Sequence, residues 1–332
     1  MRKIVVCFML LIGVTLLTGC SAGSNAPAGE EPGTLEPVTV MLDWVPNTNH
    51  TGLYVALEKG WYADKGLKVE IVEPTQGGTS QLVAADMAEF GVGYQEDVTL
   101  ARANDVPIVS IAAVIQHNTS GFASKKSLGI TRPRNMEGKV YGGWGSPAED
   151  AILKAVMEKD GGDFSKLDII NVGTADFFTA VERDIDFCLI YYGWTGIEAE
   201  LRGMELNYLE TRQLHPALDY YTPVIITTEK TIELHPDLVK KFMRATSKGY
   251  EFAIANPAEA ARILLKYAPE LDEKLVLASQ EYLSPRYQDD ARRWGEQSVT
   301  IWENYSSWMY ENELLPKKIE AEKAFTNDFL PE

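Results

Sequence analysis

Along residues 38–332 the apolar and polar positions change period repeatedly, short strand-like runs giving way to helical ones. Residues 38–42 (VTVML) form an apolar run of strand length, and a loop separates them from a helical pattern over 52–59. Residues 67–72 (LKVEIV) alternate, the period of a half-buried strand. A helix is expected over 79–86, a strand over 90–93, a helix over 97–103 and a strand over 108–114. The pattern restarts where a strand ends at 140–141. Ser146-Pro147-Ala148-Glu149 then opens a helix with a serine cap, proline at its first position and glutamate at its third. A strand at 169–172, a helix at 177–183 and strands at 187–191 and 224–228 follow. From 236 onward nearly everything reads as helix, broken at Asn256-Pro257, Pro269, Ser284-Pro285 and Pro316. Such alternation predicts an α/β fold with mainly parallel sheets.

The first 37 residues follow another pattern. Arg2 and Lys3 precede an apolar run over 4–17 that leads into Leu17-Thr18-Gly19-Cys20. A basic start, a short apolar stretch and small residues before a cysteine read as a lipoprotein-type secretory signal over 1–19, with Cys20 as the lipid attachment point. Residues 20–37 are small, polar and rich in Pro and Gly, the composition of a flexible tether. What remains exceeds the size one core usually fills. Two lobes are expected, one from 38–116 with 226–332 and one from 117–225, and their two crossings frame a cleft. No further apolar stretch has membrane-spanning length.

Charge narrows the partners. The formal net charge is −17, and loss of Arg2 and Lys3 with the signal moves it to −19. So acidic a surface argues against nucleic acid and against polybasic docking on a membrane. Of the 3 cysteines only Cys188 lies in the body, flanked by Phe187 and Leu189. Neither a disulfide framework nor a metal site is expected, and Cys188 reads as a small buried apolar residue.

Four loops that follow strand runs carry the candidate chemistry. In Leu42-Asp43-Trp44-Val45-Pro46-Asn47-Thr48-Asn49-His50 an indole, a carboxylate, two carboxamides and an imidazole sit together. Trp44 is placed to stack on a flat ligand, with Asn47 or Asn49 reading its edge and His50 beside them; one of the asparagines equally suits a helix cap. Tyr94-Gln95-Glu96-Asp97 offers Tyr94 and Glu96 as contacts and Asp97 as an N-cap. In the third loop Trp144 stands among glycines, while Gly145 and Ser146 bring backbone donors to a helix start. The fourth, Tyr191-Tyr192-Gly193-Trp194-Thr195-Gly196-Ile197-Glu198, holds three aromatic rings and a carboxylate without a helix or strand period. Tyr220-Tyr221 lies near the return crossing, as His117 does near the first. His215 and His235 each precede a proline as loop residues, and Trp294, Trp302, Tyr305 and Trp308 read as core along one helical segment. Many rings and carboxylates with few cations favour a flat, nitrogen-bearing ligand such as an aminopyrimidine over an anion.

Leu42-Asp43-Trp44-x-Pro46, Tyr54-x-Ala56-x-x-x-Gly60-Trp61-Tyr62, Gly66-Leu67 and Gly91-x-Gly93 resemble the periplasmic-binding-protein-like family of thiamine-pyrimidine synthases and ABC-importer binding proteins. Trp44, Asn47, His50, Gly143-Trp144-Gly145-Ser146 and Tyr191-Tyr192-Gly193-Trp194 are most similar to its members that bind formylaminopyrimidine. The resemblance spans nearly all of 38–330 and implies a two-lobed type II fold with the ligand between the lobes. It further implies a monomeric lipoprotein on the outer face of the cell membrane that serves an ABC permease and its ATPase. Sulfonate and nitrate binding proteins are the rivals within the family. The fungal synthases use a lysine and a histidine where Gly93 and Asp97 stand here, and a cysteine-rich metal segment where 219–226 has no cysteine. No enzyme activity, cofactor or metal is therefore expected.

Overall fold

The computed structural model describes residues 34–74, 78–173 and 175–332; the expected signal and Cys20 lie outside them. Residues 35–332 form one compact unit built on two five-stranded sheets. The strands are β1 (Glu36–Met41), β2 (Leu67–Val72), β3 (Phe90–Gly93), β4 (Ile108–Ala113), β5 (Ser120–Lys125), β6 (Val140–Gly143), β7 (Asp168–Asn171), β8 (Phe187–Tyr191), β9 (Leu206–Glu210) and β10 (Val224–Thr228). The first sheet has the order β2-β1-β3-β10-β4 and the second β7-β6-β8-β5-β9. Both follow one plan: a parallel trio, then the strand that has just crossed from the other lobe, antiparallel to its neighbours. The sheets are thus mixed, not mainly parallel. The crossing strands β5 and β10 run antiparallel to both of their neighbours, and each therefore breaks the parallel order of the sheet it enters.

Among the described residues the helices are α1 (Thr51–Glu58), α2 (Thr79–Ala84), α3 (Gln95–Ala103), α4 (Pro147–Lys159), α5 (Phe177–Arg183), α6 (Ile197–Leu201), α7 (Thr211–Leu214), α8 (Glu229–Leu234), α9 (Pro236–Ala255), α10 (Pro257–Tyr267), α11 (Glu273–Leu283) and α12 (Val299–Glu311). None is long and apolar enough to cross a membrane. The first sheet packs on α1, α9 and α10 through Val40, Leu53, Phe90, Phe242 and Leu264, with Phe90 and Phe242 stacked at 3.9 Å. The second builds its own core from Phe122, Tyr141, Leu153 and Phe187.

Several expected boundaries move. β1 begins at Glu36, so the end of the expected tether pairs with Leu67 and Lys68. Pro37 is tolerated there because β1 meets β3 only from Val40 onward, leaving no partner for the missing N–H. β10 starts at Val224 and belongs to the first sheet, two residues before the expected return. Tyr305, Trp308, Met309 and Leu315 pack into the core of the second sheet, so the C-terminal segment serves both lobes. Residues 312–332 are mostly irregular rather than helical. Trp294 precedes α12 and stacks on Tyr250 at 4.2 Å, whereas Trp302, Tyr305 and Trp308 lie on that helix; all four are buried.

Candidate functional site

The four loops leave the carboxyl ends of parallel strands: residues 42–47 after β1, Tyr94 after β3, 144–146 after β6 and Tyr191 at the end of β8. Ligand sites of open α/β sheets lie at such ends. Between the lobes two pockets share Tyr191. One encloses about 360 Å³ of empty space, open solvent included, with Glu96, Phe122, Trp144, Glu149, Tyr191 and Tyr220 on its walls. The other, about 270 Å³, is lined by Asn47, Thr119, Trp194, Thr222 and Leu283 on the far side of Tyr191. Among the described residues no lysine or arginine lines either pocket. A wider open groove along α12, walled by Glu303, Glu311 and Glu320, involves none of these strand ends.

The first loop is held from within. Asn47 caps a short turn, its side chain accepting the Asn49 N–H at 2.9 Å, so the cap reading and the pocket position both apply to it. His50 is fully buried, accepts the Asn47 N–H at Nδ1 (3.2 Å) and bonds Asp43 Oδ1 through Nε2 (2.6 Å). The Tyr94 hydroxyl donates to the other Asp43 oxygen at 2.5 Å. Burial raises the Asp43 carboxyl, but the His50 contact and the His50 and Tyr94 hydrogen bonds outweigh it and leave it lowered. Asp43 thus ties two strand ends together, and Trp44 stands outward beside it, 52 % exposed.

Acid gathers at the start of α3. Burial, then Asp97 and Glu149, push the Glu96 carboxyl up to about 7. Burial and Asp43 raise Asp97 to about 6. Asp97 lies inside the helix; Tyr94 holds the cap position, its side chain bonded to Asp43 and not to the helix's own amides. In the third loop Glu149 closes on its own helix start: Oε2 accepts the N–H groups of Trp144 (3.0 Å), Gly145 (3.0 Å) and Ser146 (3.1 Å). Oε1 accepts the Tyr141 hydroxyl at 2.7 Å. Gly145 has φ +85°, which turns its amide toward the same oxygen and which a side chain would strain. The donors expected to face a ligand are therefore already taken.

After β8 the chain makes a π-helical turn over Tyr192–Gly196. Tyr191 stays in the cleft, its hydroxyl pushed up to about 12 chiefly by burial. Tyr192 points elsewhere, packed on Tyr208 at 4.8 Å and bonded to Glu200. Glu198 pairs with Arg202 on the surface of α6. Of the expected residues, Glu96, Trp144, Ser146 and Tyr191 share one pocket and Asn47, Tyr191 and Trp194 the other. Trp44, Tyr94, His50, Gly145, Tyr192 and Glu198 line neither. The sequence reading passed over Phe122, since its strand β5 was not foreseen, and saw Asp43 and Glu149 only as members of motifs. Tyr220, noted in the sequence only for its place near the return crossing, does reach the wall.

Residues 47–260 match the family model described as NMT1/THI5 like. A formylaminopyrimidine-binding protein of Halalkalibacterium halodurans is 31% identical over 331 residues, covering 96% of this chain and 97% of its own. The chain belongs to the NMT1/THI5-like family. Riboflavin-binding protein RibY of Chloroflexus aurantiacus is 25% identical, covering 100% of this NMT1/THI5-like chain and 99% of its own. The fold is similar to that of the periplasmic aliphatic sulphonate binding protein SsuA from Escherichia coli, with a TM-score of 0.70 at 14% identity over 90% of this chain and 94% of that one. This NMT1/THI5-like chain thus has the two-lobed fold of periplasmic solute-binding proteins.

Proposed function

We propose that the chain is an extracytoplasmic, lipid-anchored solute-binding protein that delivers a thiamine pyrimidine precursor, of the formylaminopyrimidine type, to an ABC importer. One observation carries the reading: the inter-lobe pocket joins the rings of Trp144, Tyr191 and Tyr220 to the carboxylate of Glu96, with no cation among the described residues of its walls. An aminopyrimidine stacks between such rings and gives an N–H to the carboxylate, a charge-assisted bond worth roughly 1.5–3 kcal/mol. The 31% identical relative points the same way. A sulfonate or nitrate would want cations or free amides, and the amides of 144–146 are engaged by Glu149. A synthase reading lacks its lysine, since Gly93 ends β3 at that position.

In this mechanism the lobes rotate about the crossings to bury the ligand, and the closed form docks on a permease. Cys20 carries the lipid that keeps the protein at the membrane face. Tryptophan fluorescence of protein lacking residues 1–33, which leaves β1 whole, titrated with formylaminopyrimidine, riboflavin, taurine and nitrate, is the test. Saturable quenching by the pyrimidine alone is expected; a response to another of the four, with none to the pyrimidine, overturns the ligand. Tyr191→Ala should weaken pyrimidine binding about tenfold or more through lost stacking. Unchanged affinity in both Trp44→Ala and Trp194→Ala would remove those two rings from the ligand site.

A further inference from the structure

Glu149 does more than cap its helix. A capping box needs the N3 carboxylate to take a single amide, that of the N-cap residue. Here one oxygen takes the amides of Trp144, Gly145 and Ser146, and the other takes the Tyr141 hydroxyl. Three successive amides aimed at one point, at the start of the 13-residue helix α4, are the elements of an anion-binding concavity. The anion seated in it belongs to the chain, is buried and forms part of the pocket wall.

We infer that Glu149 is a specificity determinant: it occupies an anion cradle from within and so bars sulfonates, phosphates and carboxylates from the pocket. This rests on the reading that the pocket beside it is the ligand site. The cradle itself is a built site for a tetrahedral or planar oxyanion, exposed only when the Glu149 side chain is removed. Its neighbour Glu96 adds a second carboxyl on the same wall.

Glu149→Ala should empty the cradle. Unfolding midpoints would be followed for this variant, the wild type and Tyr141→Phe in sodium sulfate, sodium acetate, sodium methanesulfonate and sodium chloride at matched ionic strength. Because sulfate stabilises most proteins by exclusion, the informative quantity is the difference from wild type in the same salt. A saturable extra rise of about 3 °C with the oxyanions, confined to Glu149→Ala, is expected. Tyr141→Phe leaves the carboxylate seated and should show none, which separates an emptied cradle from a loosened loop. Trp144 contributes one of the amides, so methanesulfonate should also change tryptophan fluorescence in Glu149→Ala at concentrations at least tenfold lower than in wild type. Identical salt responses in Glu149→Ala and wild type would overturn the inference. If the variant does not accumulate in chloride, oxyanions must restore its folding; failure to do so overturns it equally. No pyrimidine enters these measurements, so a wild type that ignores the pyrimidine would fell the ligand reading and leave this one standing.

Discussion

His50 accepts the Asn47 N–H at Nδ1, which leaves Nε2–H to donate to Asp43. The carboxylate beside it is nearly without solvent, at 5 % side-chain exposure, and depends on His50 and the Tyr94 hydroxyl for its partners. His50→Ala would strand that carboxylate, so a loss of about 3 kcal/mol in urea unfolding is expected. A loss under about 1 kcal/mol would mean that water reaches Asp43 once the ring is gone. The sequence brought these residue types to notice through their density in one loop, yet assigned His50 and Tyr94 to the ligand. Nothing local says that Tyr94, 51 residues downstream, meets Asp43; only the β1–β3 pairing does. Residue types near a site are legible from a chain, whereas which of them face the ligand depends on long-range pairing.

Elements were legible where one period dominates. The apolar run of β3, the alternation of β2 and the capped start of α4 all lie where the pattern placed them. β5 escaped because SGFASK mixes small polar and apolar residues and is buried on both faces except at Lys125, so it has no clean alternation. The π-helical turn after β8 escaped for another reason, its shape being set by α11. There Ser279 donates to the Gly193 carbonyl, and a Cβ at Gly193 would stand 2.7 Å from Leu283 Cδ2. Gly193→Ala should therefore cost about 2 kcal/mol by overpacking. Leu283→Ala alone should cost about 3 kcal/mol as a cavity. The double variant should lose at least about 1 kcal/mol less than the two losses added, because the deleted side chain makes room for the new methyl. Additive losses would show that the turn shifts bodily instead of clashing.

At the scale of the whole molecule, acid in the cleft and base at the crossings both make stability fall as pH rises, in different windows. His117, on the outward crossing, bonds Asp219 on the return crossing at 2.7 Å and Asp290 at 3.2 Å. The Asp219 bond, against an opposing desolvation, raises its imidazole to about 9. A raised base stabilises fully below its unfolded value and loses that contribution as pH rises through about 9. Glu96 and Asp97 are raised acids, at about 7 and about 6. The folded protein holds their protons more tightly than the unfolded chain, so their contribution is full below the ordinary carboxylate range and fades as pH climbs to about 7. Asp43 is lowered, and its contribution is lost only as pH falls below its ordinary value of 3.8. Stability of the ligand-free protein should accordingly decline in two limbs, one between about pH 4 and 7 from the cleft and one between about pH 6.5 and 9 from the crossings. Urea midpoints across that range check it. Glu96→Gln with Asp97→Asn should flatten the lower limb and spare the upper, while His117→Gln should do the reverse. If both limbs survive the cleft pair of substitutions, the acids in the cleft are better solvated than their burial implies. In that case the pocket would not reward a ligand N–H with the strength of a desolvated charge-assisted bond, and stacking on Tyr191 and Trp144 would have to carry recognition.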